Sequence, residues 1–311
     1  MLGALLACAC KSDSASRPLA PEDAQWVAGS AVAEVNLLGV DLVDDNNGWA
    51  VGDISVVNGA VVRTTDGGRN WRPISSCDEI LAAVKFISAN RGWVAGYAGR
   101  VQRTDDGGVT WKLQRAEHKG EVLNSIFFLD PERGWAAGGA GLVLLTLNGG
   151  DTWETIATGR AEDLWSVRFL TRDRGFIVGE DGLILTTTDG GREWSAQASG
   201  SRGALVGLAV ASDYAIAVGE DGLILRTDDF ETWRPAESKT TESLNAVAIN
   251  KSSCWAVGSR GATVGSIDRG RTWTPAPAVV SRDLMAVSVS GPANAIAVGR
   301  RGAVQFLPPH K

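Results

Sequence analysis

A chain of 311 residues that is 44% hydrophobic is long enough to bury one large core. Its formal charge of −6 repels phosphate and no basic run offsets it, which argues against a nucleic-acid partner. With His118 and His310 as the only histidines, a histidine metal centre or acid–base pair has no basis, and no metal or cofactor is implied.

The first ten residues, Met1 to Cys10, are apolar and are followed by Lys11-Ser12-Asp13-Ser14. They read as the end of an export signal and are too short to span a bilayer. Leu5-Leu6-Ala7-Cys8 resembles a bacterial lipoprotein processing box, so Cys8 is the expected lipidated residue and Cys10 the second candidate. The positive start of such a signal is missing, which places the expected translation start further upstream. Residues 11–21, rich in Ser, Ala and Pro, read as a tether, residues 22–307 as the folded domain and residues 308–311 as a tail. The expectation is an exported monomer, periplasmic or on the outer surface, touching the membrane only through a lipid anchor.

From Leu37 onward the chain repeats. Short runs with period-two patterning begin at Leu37, Leu81, Leu123, Leu164, Leu205, Leu244 and Leu284. Each precedes a landmark of the type Gly-Trp-Ala-Val-Gly: Gly48–Gly52, Gly92–Gly96, Gly134–Gly138, Gly175–Gly179, and the weaker Asp213–Gly219, Cys254–Gly258 and Asn294–Gly299. A Gly-x-Ile-Leu-x-Thr run and a turn of the type Thr64-Thr65-Asp66-Gly67-Gly68-Arg69-Asn70-Trp71 complete the unit. The turn tryptophans Trp71, Trp111, Trp153, Trp194, Trp233 and Trp273 are spaced by 40, 42, 41, 39 and 40 residues. Four short strands at this period make a propeller blade, and seven landmarks make seven blades. The fold class is therefore all-β, a seven-bladed propeller of four-stranded antiparallel blades.

The last unit stops after Phe306 without a turn motif. Trp26 stands alone 11 residues before Leu37, and the turn tryptophans precede the next inner-strand leucine by 10 to 12 residues. The segment around Trp26 is therefore expected to supply the outer strand of blade seven and close the ring, hiding two strand edges. Cys77 and Cys254 fall on opposite faces of non-adjacent blades, out of disulfide reach.

In the turn, Asp66 and its equivalents Asp106, Asn148, Asp189, Asp228 and Asp268 accept backbone N–H bonds while glycines supply positive φ, a structural role. Blade five has Asp229-Phe230 where the others carry glycine, and its turn is expected to be distorted.

Thr104-Asp105-Asp106-Gly107-Gly108-Val109-Thr110-Trp111 resembles the Asp-box of the bacterial neuraminidase repeat. Together with the Gly-Trp-Ala-Val-Gly landmark it resembles the photosystem II stability and assembly factor family over residues 22–307. The resemblance implies a seven-bladed, non-enzymatic scaffold that holds a protein or peptide client during assembly of a membrane complex. It also implies a basic client-binding patch, from which this acidic chain departs. Arg100, Arg260, Arg300 and Arg301 lie in loops between second and third strands and place a basic arc across blades two, six and seven. The same loops of blades four and five carry Glu180-Asp181 and Glu220-Asp221. On the same face Glu79, Glu121, Glu162 and Glu242, with Asp163 and Asp283, are expected to rim the central channel. With Trp165 and Arg168 on the inner strand of blade four, that rim is a candidate docking surface for a basic or mixed peptide.

A sialidase-like or other glycoside hydrolase, or an envelope glycan-binding module, are the alternatives. Only Tyr97 and Tyr214 are available as a sialidase nucleophile: Tyr214 takes the landmark tryptophan's place and Tyr97 lacks an evident glutamate partner. Glu180-Asp181 and Glu220-Asp221 sit in a repeated Glu-Asp-Gly context that reads as turns rather than as a catalytic carboxylate pair.

Overall fold

The computed structural model describes residues 20–30, 35–54, 58–116, 120–291 and 294–308. Cys8, Cys10, the expected signal, most of the tether, His118 and His310 lie outside the described residues. Blade one consists of Asn36–Leu42, Gly48–Asp53, Gly59–Thr64 and Arg72–Cys77, each antiparallel to the next. Blades two to six repeat this order, and their inner strands are Leu81–Phe86, Leu123–Phe128, Leu164–Phe169, Leu205–Val210 and Leu244–Asn250. Blade seven has Leu284–Gly291, Asn294–Gly299 and Val304–Leu307, and takes its outer strand, Val27–Ala28, from the start of the domain. Val27 lies opposite Phe306 and Ala28 opposite Gln305, so the ring closes as the Trp26 register predicts. The inner strand of blade seven packs on those of blades one and six. Pro21 is buried in a short 3-10 turn, Pro21–Asp23, that covers blade six.

The strands follow from where each lies between its neighbours. Second strands such as Gly134–Gly138 are buried at every position, since a blade on either side covers both faces, and a continuous apolar run results. Inner strands alternate because one face lines the channel. Among the described residues the hydrophobic core consists of seven clusters, each drawing on two adjacent blades. The cluster around Leu37, Trp71, Ile296 and Phe306 seals blade one to blade seven.

The two sequence landmarks meet across blade boundaries. Trp49, Trp93 and Trp135 each lie flat on the inner-strand Phe of the next blade, Phe86, Phe128 and Phe169, with ring centroids at 3.8, 3.6 and 3.5 Å. The turn tryptophans Trp111, Trp153 and Trp194 meet the same phenylalanines edge-on. Each landmark Nε1 also donates to the carbonyl of the first glycine of the next blade's turn: Trp49 to Gly107 at 2.8 Å, Trp93 to Gly149 at 2.9 Å and Trp135 to Gly190 at 2.9 Å. An indole N–H buried with a partner and a ring stacked on another ring satisfy both halves of the side chain.

Each inner strand carries a bulge one residue after its leucine, as between Leu123 and Ser125 or Leu164 and Ser166. The bulge brings the opening glycine of the following turn onto the backbone: a Cβ on Gly138 would stand 1.9 Å from the Val122 carbonyl oxygen. The glycine that ends each landmark is thus required by close approach rather than by its dihedral angles.

Candidate functional site

In the turns that close the lower face, Thr64 Oγ1 donates to Asp66 (2.9 Å) and accepts from Gly68 N (3.0 Å), while Asp66 Oδ1 accepts from Asn70 N (2.9 Å). Asp106, Asn148, Asp189 and Asp268 make the matching bonds. In blade five the expectation placed on Asp228 falls instead to Asp229, which receives Thr227 Oγ1 at 2.8 Å and Thr232 N at 2.7 Å. The turn from Thr227 to Trp233 is one residue shorter than that from Thr64 to Trp71, so counting back from the tryptophan lands one position early. Asp228 pairs with Arg226 and Arg271, and Phe230 takes the left-handed conformation at φ +62°.

On the upper face the rim acids other than Glu79 are engaged. Glu121 pairs with the buried Arg115 at 2.9 Å, Glu242 takes Arg260 at 2.6 and 2.8 Å, and Asp283 lies 3.6 Å from Arg300. Glu162 accepts from Ala161 N at 3.0 Å with Arg160 at 3.8 Å. Asp163 and Asp283 also clamp the strand-two-to-three turn of the preceding blade: Asp163 accepts from Ala140 N (2.8 Å), Asp283 from Arg260 N (3.0 Å). In blade one Asn36 does the same for Arg301 N at 2.9 Å. The clamped residues Ala140, Arg260 and Arg301 sit at φ +51° to +52°, where a side chain is strained and an added backbone bond holds it.

Of the expected basic arc, Arg260 and Arg300 thus pair with rim acids, whereas Glu121 and Glu162 pair with Arg115 and Arg160, which lie outside it. Glu79 and Arg301 have no ionic partner among the described residues, and Arg100 is half-buried in its turn with Nε unbonded. Glu180 and Glu220 are turn residues that accept from Asp163 N and Ala204 N at 3.4 and 3.1 Å. Tyr214 is buried, donates to the Lys251 carbonyl at 2.7 Å and lies between the guanidiniums of Arg226 and Arg269. Burial pushes its hydroxyl well above the usual phenol range, with Cys254 adding to the rise. Cys77 and Cys254 are both free thiols.

What remains open is the channel. The bulges turn Leu38, Ala82, Asn124, Trp165, Val206, Asn245 and Met285 towards its upper mouth, where they line a cavity of 280 Å³ with Tyr97 at the edge. Asn124 and Asn245 spend their amides on the Leu164 and Leu284 carbonyls of the next blade, at 3.0 and 2.8 Å, which leaves a mouth of mainly apolar side chains. Below them Arg168 lines the channel, its Nη1 on the Val167 carbonyl (2.7 Å) and near Ser125 Oγ (3.4 Å), its guanidinium over Phe127 of the adjacent blade. The channel thus brings together Trp165 and Arg168. The other sequence-derived candidates sit around its upper edge as ion pairs, clamps and turn residues, with Glu79 beyond blade one's outer strand. The mouth residues other than Trp165 escape the sequence because a bulge position has no composition of its own; their fixed place after each repeat leucine is the signal that identifies them.

Seven four-stranded antiparallel blades in a ring closed by its own N-terminal strand define a seven-bladed β-propeller. Within it, residues 74–161, which span blades two and three, match the family described as Photosynthesis system II assembly factor YCF48. The chain is 32% identical over 91 residues to the photosystem II assembly lipoprotein Ycf48 of Synechococcus sp. (strain CC9902), a stretch covering 28% of this chain and 26% of that protein. The sequence match thus spans about a quarter of the length of that relative. A solved structure described as YCF48 bound to D1 peptide superposes with a TM-score of 0.76 at 20% identity, covering 92% of this chain and 97% of that one. The GH74 xyloglucanase from Xanthomonas campestris superposes at 0.70 and 14% identity over 91% of this chain and 53% of its own. At these identities the two solved structures show a shared fold, and the sequence likeness is to the photosystem II assembly factors.

Proposed function

We propose that this chain is a non-enzymatic scaffold that acts as a monomer and holds a polypeptide client at the mouth of its channel, as a photosystem II assembly factor-like propeller. The observation that carries the reading is the charge cancellation on the upper face: Glu242 with Arg260 and Glu121 with Arg115 leave Trp165, Met285, Leu38 and Val206 as an apolar centre inside a polar surround. Protein-binding surfaces have this anatomy, an apolar core within a satisfied polar rim. The related propeller described as bound to D1 peptide supports a peptide occupant. Glu180 and Glu220 are occupied by backbone N–H groups and Tyr214 is buried, which supports a binding role over hydrolysis. The name lipoprotein carried by the Synechococcus relative supports export and lipid anchoring through Cys8 or Cys10.

The test compares capture of proteins from solubilised host membranes by the wild type, by Trp165→Glu, and by Val109→Glu on the Asp-box face. A client retained by wild type and Val109→Glu but lost from Trp165→Glu supports the reading. A client retained by all three, or lost only with Val109→Glu, moves the site elsewhere.

A further inference from the structure

Below its apolar mouth the channel holds a cation, Arg168, that meets no carboxylate among the described residues. Its charged lining residues are Asp41, Lys85 and Arg168. Asp41 is fully engaged: Lys85 Nζ lies 3.2 and 3.1 Å from its two oxygens, and Phe86 N donates to Oδ2 at 2.7 Å. Arg168 is left with two contacts through Nη1 and no ion pair among the described residues. Burial lowers its proton affinity, and Asp41, acting from a distance, offsets this only in part, which is the opposite of what a carboxylate in contact does. Arg168 lines both the upper cavity and its continuation towards the lower face.

We infer that this recess binds a carboxylate borne on an apolar stem, entering acid first, with its oxygens on the free N–H groups of Arg168 and its stem against Trp165, Leu38, Val206 and Met285. A guanidinium presents a fork of donors that matches a carboxylate two bonds at a time, and a desolvated site strengthens such charge-assisted bonds. A free small acid and the C-terminus of a polypeptide ending in an apolar residue present the same chemistry. The inference shares the channel with the client reading but does not depend on it, since a client can dock on the mouth without reaching Arg168.

Calorimetric titration and saturation-transfer NMR with 4-phenylbutyrate, 4-phenylbutanamide, and a hexapeptide ending in leucine as free acid or amide separate the cases. The expected result is millimolar or tighter binding of at least one acid, with its neutral amide at least tenfold weaker. Arg168→Met and Trp165→Ala are each expected to weaken the acid tenfold or more. Binding of the peptide acid alone assigns the site to a chain terminus, and binding of phenylbutyrate to a free acid as well. Equal binding of acid and amide, no binding of either acid, or unchanged binding by a folded Arg168→Met protein overturns the inference. If Arg168→Met does not fold, the acid–amide comparison on the wild type decides it. Loss of client capture with acid binding intact, or the reverse, tells failure of one reading from failure of the other.

Discussion

Trp93 of blade two lies parallel to Phe128 of blade three at 3.6 Å and donates its Nε1 proton into the turn of that same blade, at the Gly149 carbonyl. The two sequence landmarks are thus a single inter-blade joint rather than two features of one blade. Blade four shows what happens when one half is lost: its landmark residue is Phe176, and the next blade lacks both the turn glycines and an inner-strand Phe. Phe230 fills the gap, with its ring 5.7 Å from Phe176. Trp93→Phe, which keeps the stack and leaves the Gly149 carbonyl with only its bond from Arg103 Nη1 at 3.1 Å, is expected to destabilise by about 0.5–1.5 kcal/mol, and Trp93→Ala by about 3–5 kcal/mol. Urea unfolding followed by far-ultraviolet circular dichroism measures both.

Gly138→Ala drives a methyl group onto the Val122 carbonyl and forces the bulge apart. A loss of more than about 2 kcal/mol is expected by the same measurement. Ala140→Gly, two residues on, relieves a left-handed alanine that is already exposed and is expected to be neutral or stabilising by up to about 1 kcal/mol.

The acids of the repeated turns make stability depend on pH. The Thr110 hydroxyl and backbone N–H hold the Asp106 carboxyl at about 2, below the ordinary 3.8. In Asp66, Asp189 and Asp268 burial pushes upward and is outweighed by donors from the turn, so these are lowered too. A depressed carboxyl contributes stability that is complete above its unfolded value and is lost as pH falls through the folded one. The fold is therefore expected to weaken between pH 4 and about 2, and Asp106→Asn to flatten that slope. Asn148, which makes the equivalent bonds to Thr146 and Thr152 without titrating, is the natural precedent. Denaturant midpoints from pH 2 to pH 6 check the slope.

Burial raises the Cys254 thiol to about 11 and encloses it beside Tyr214. Cys77 is half-buried, with its Sγ 3.3 Å from Gln102 Oε1. With Cys8 and Cys10 replaced by serine, a disulfide reagent at pH 8 is expected to modify Cys77 in the native protein and Cys254 only on unfolding. Mass mapping of the modified peptides distinguishes the two.

The blade count and ring closure are legible in the sequence because they depend on spacing alone: Trp26 stands 11 residues before Leu37, within the 10 to 12 that separate each turn tryptophan from the next inner-strand leucine. Asp229 is hidden by a one-residue deletion that shifts the count from Trp233 but not from Thr227. The rim charges are visible as residues but not as pairs. The bond from Ala140 to Asp163 and that from Arg260 to Asp283 each cross a blade boundary over 23 residues, and a propensity argument has no access to that distance. The isolation of Arg168 is less visible still, because it depends on Lys85 having taken Asp41.

Site-specific photocrosslinking tests the central claim, that a polypeptide docks at the channel mouth. A benzophenone amino acid at Met285, on the mouth, is compared in the native host with one at Val109, which is 66% exposed on the Asp-box face. A discrete protein adduct is expected from position 285 and none from 109. Adducts from 109 alone, or the same adducts from both positions, would contradict it.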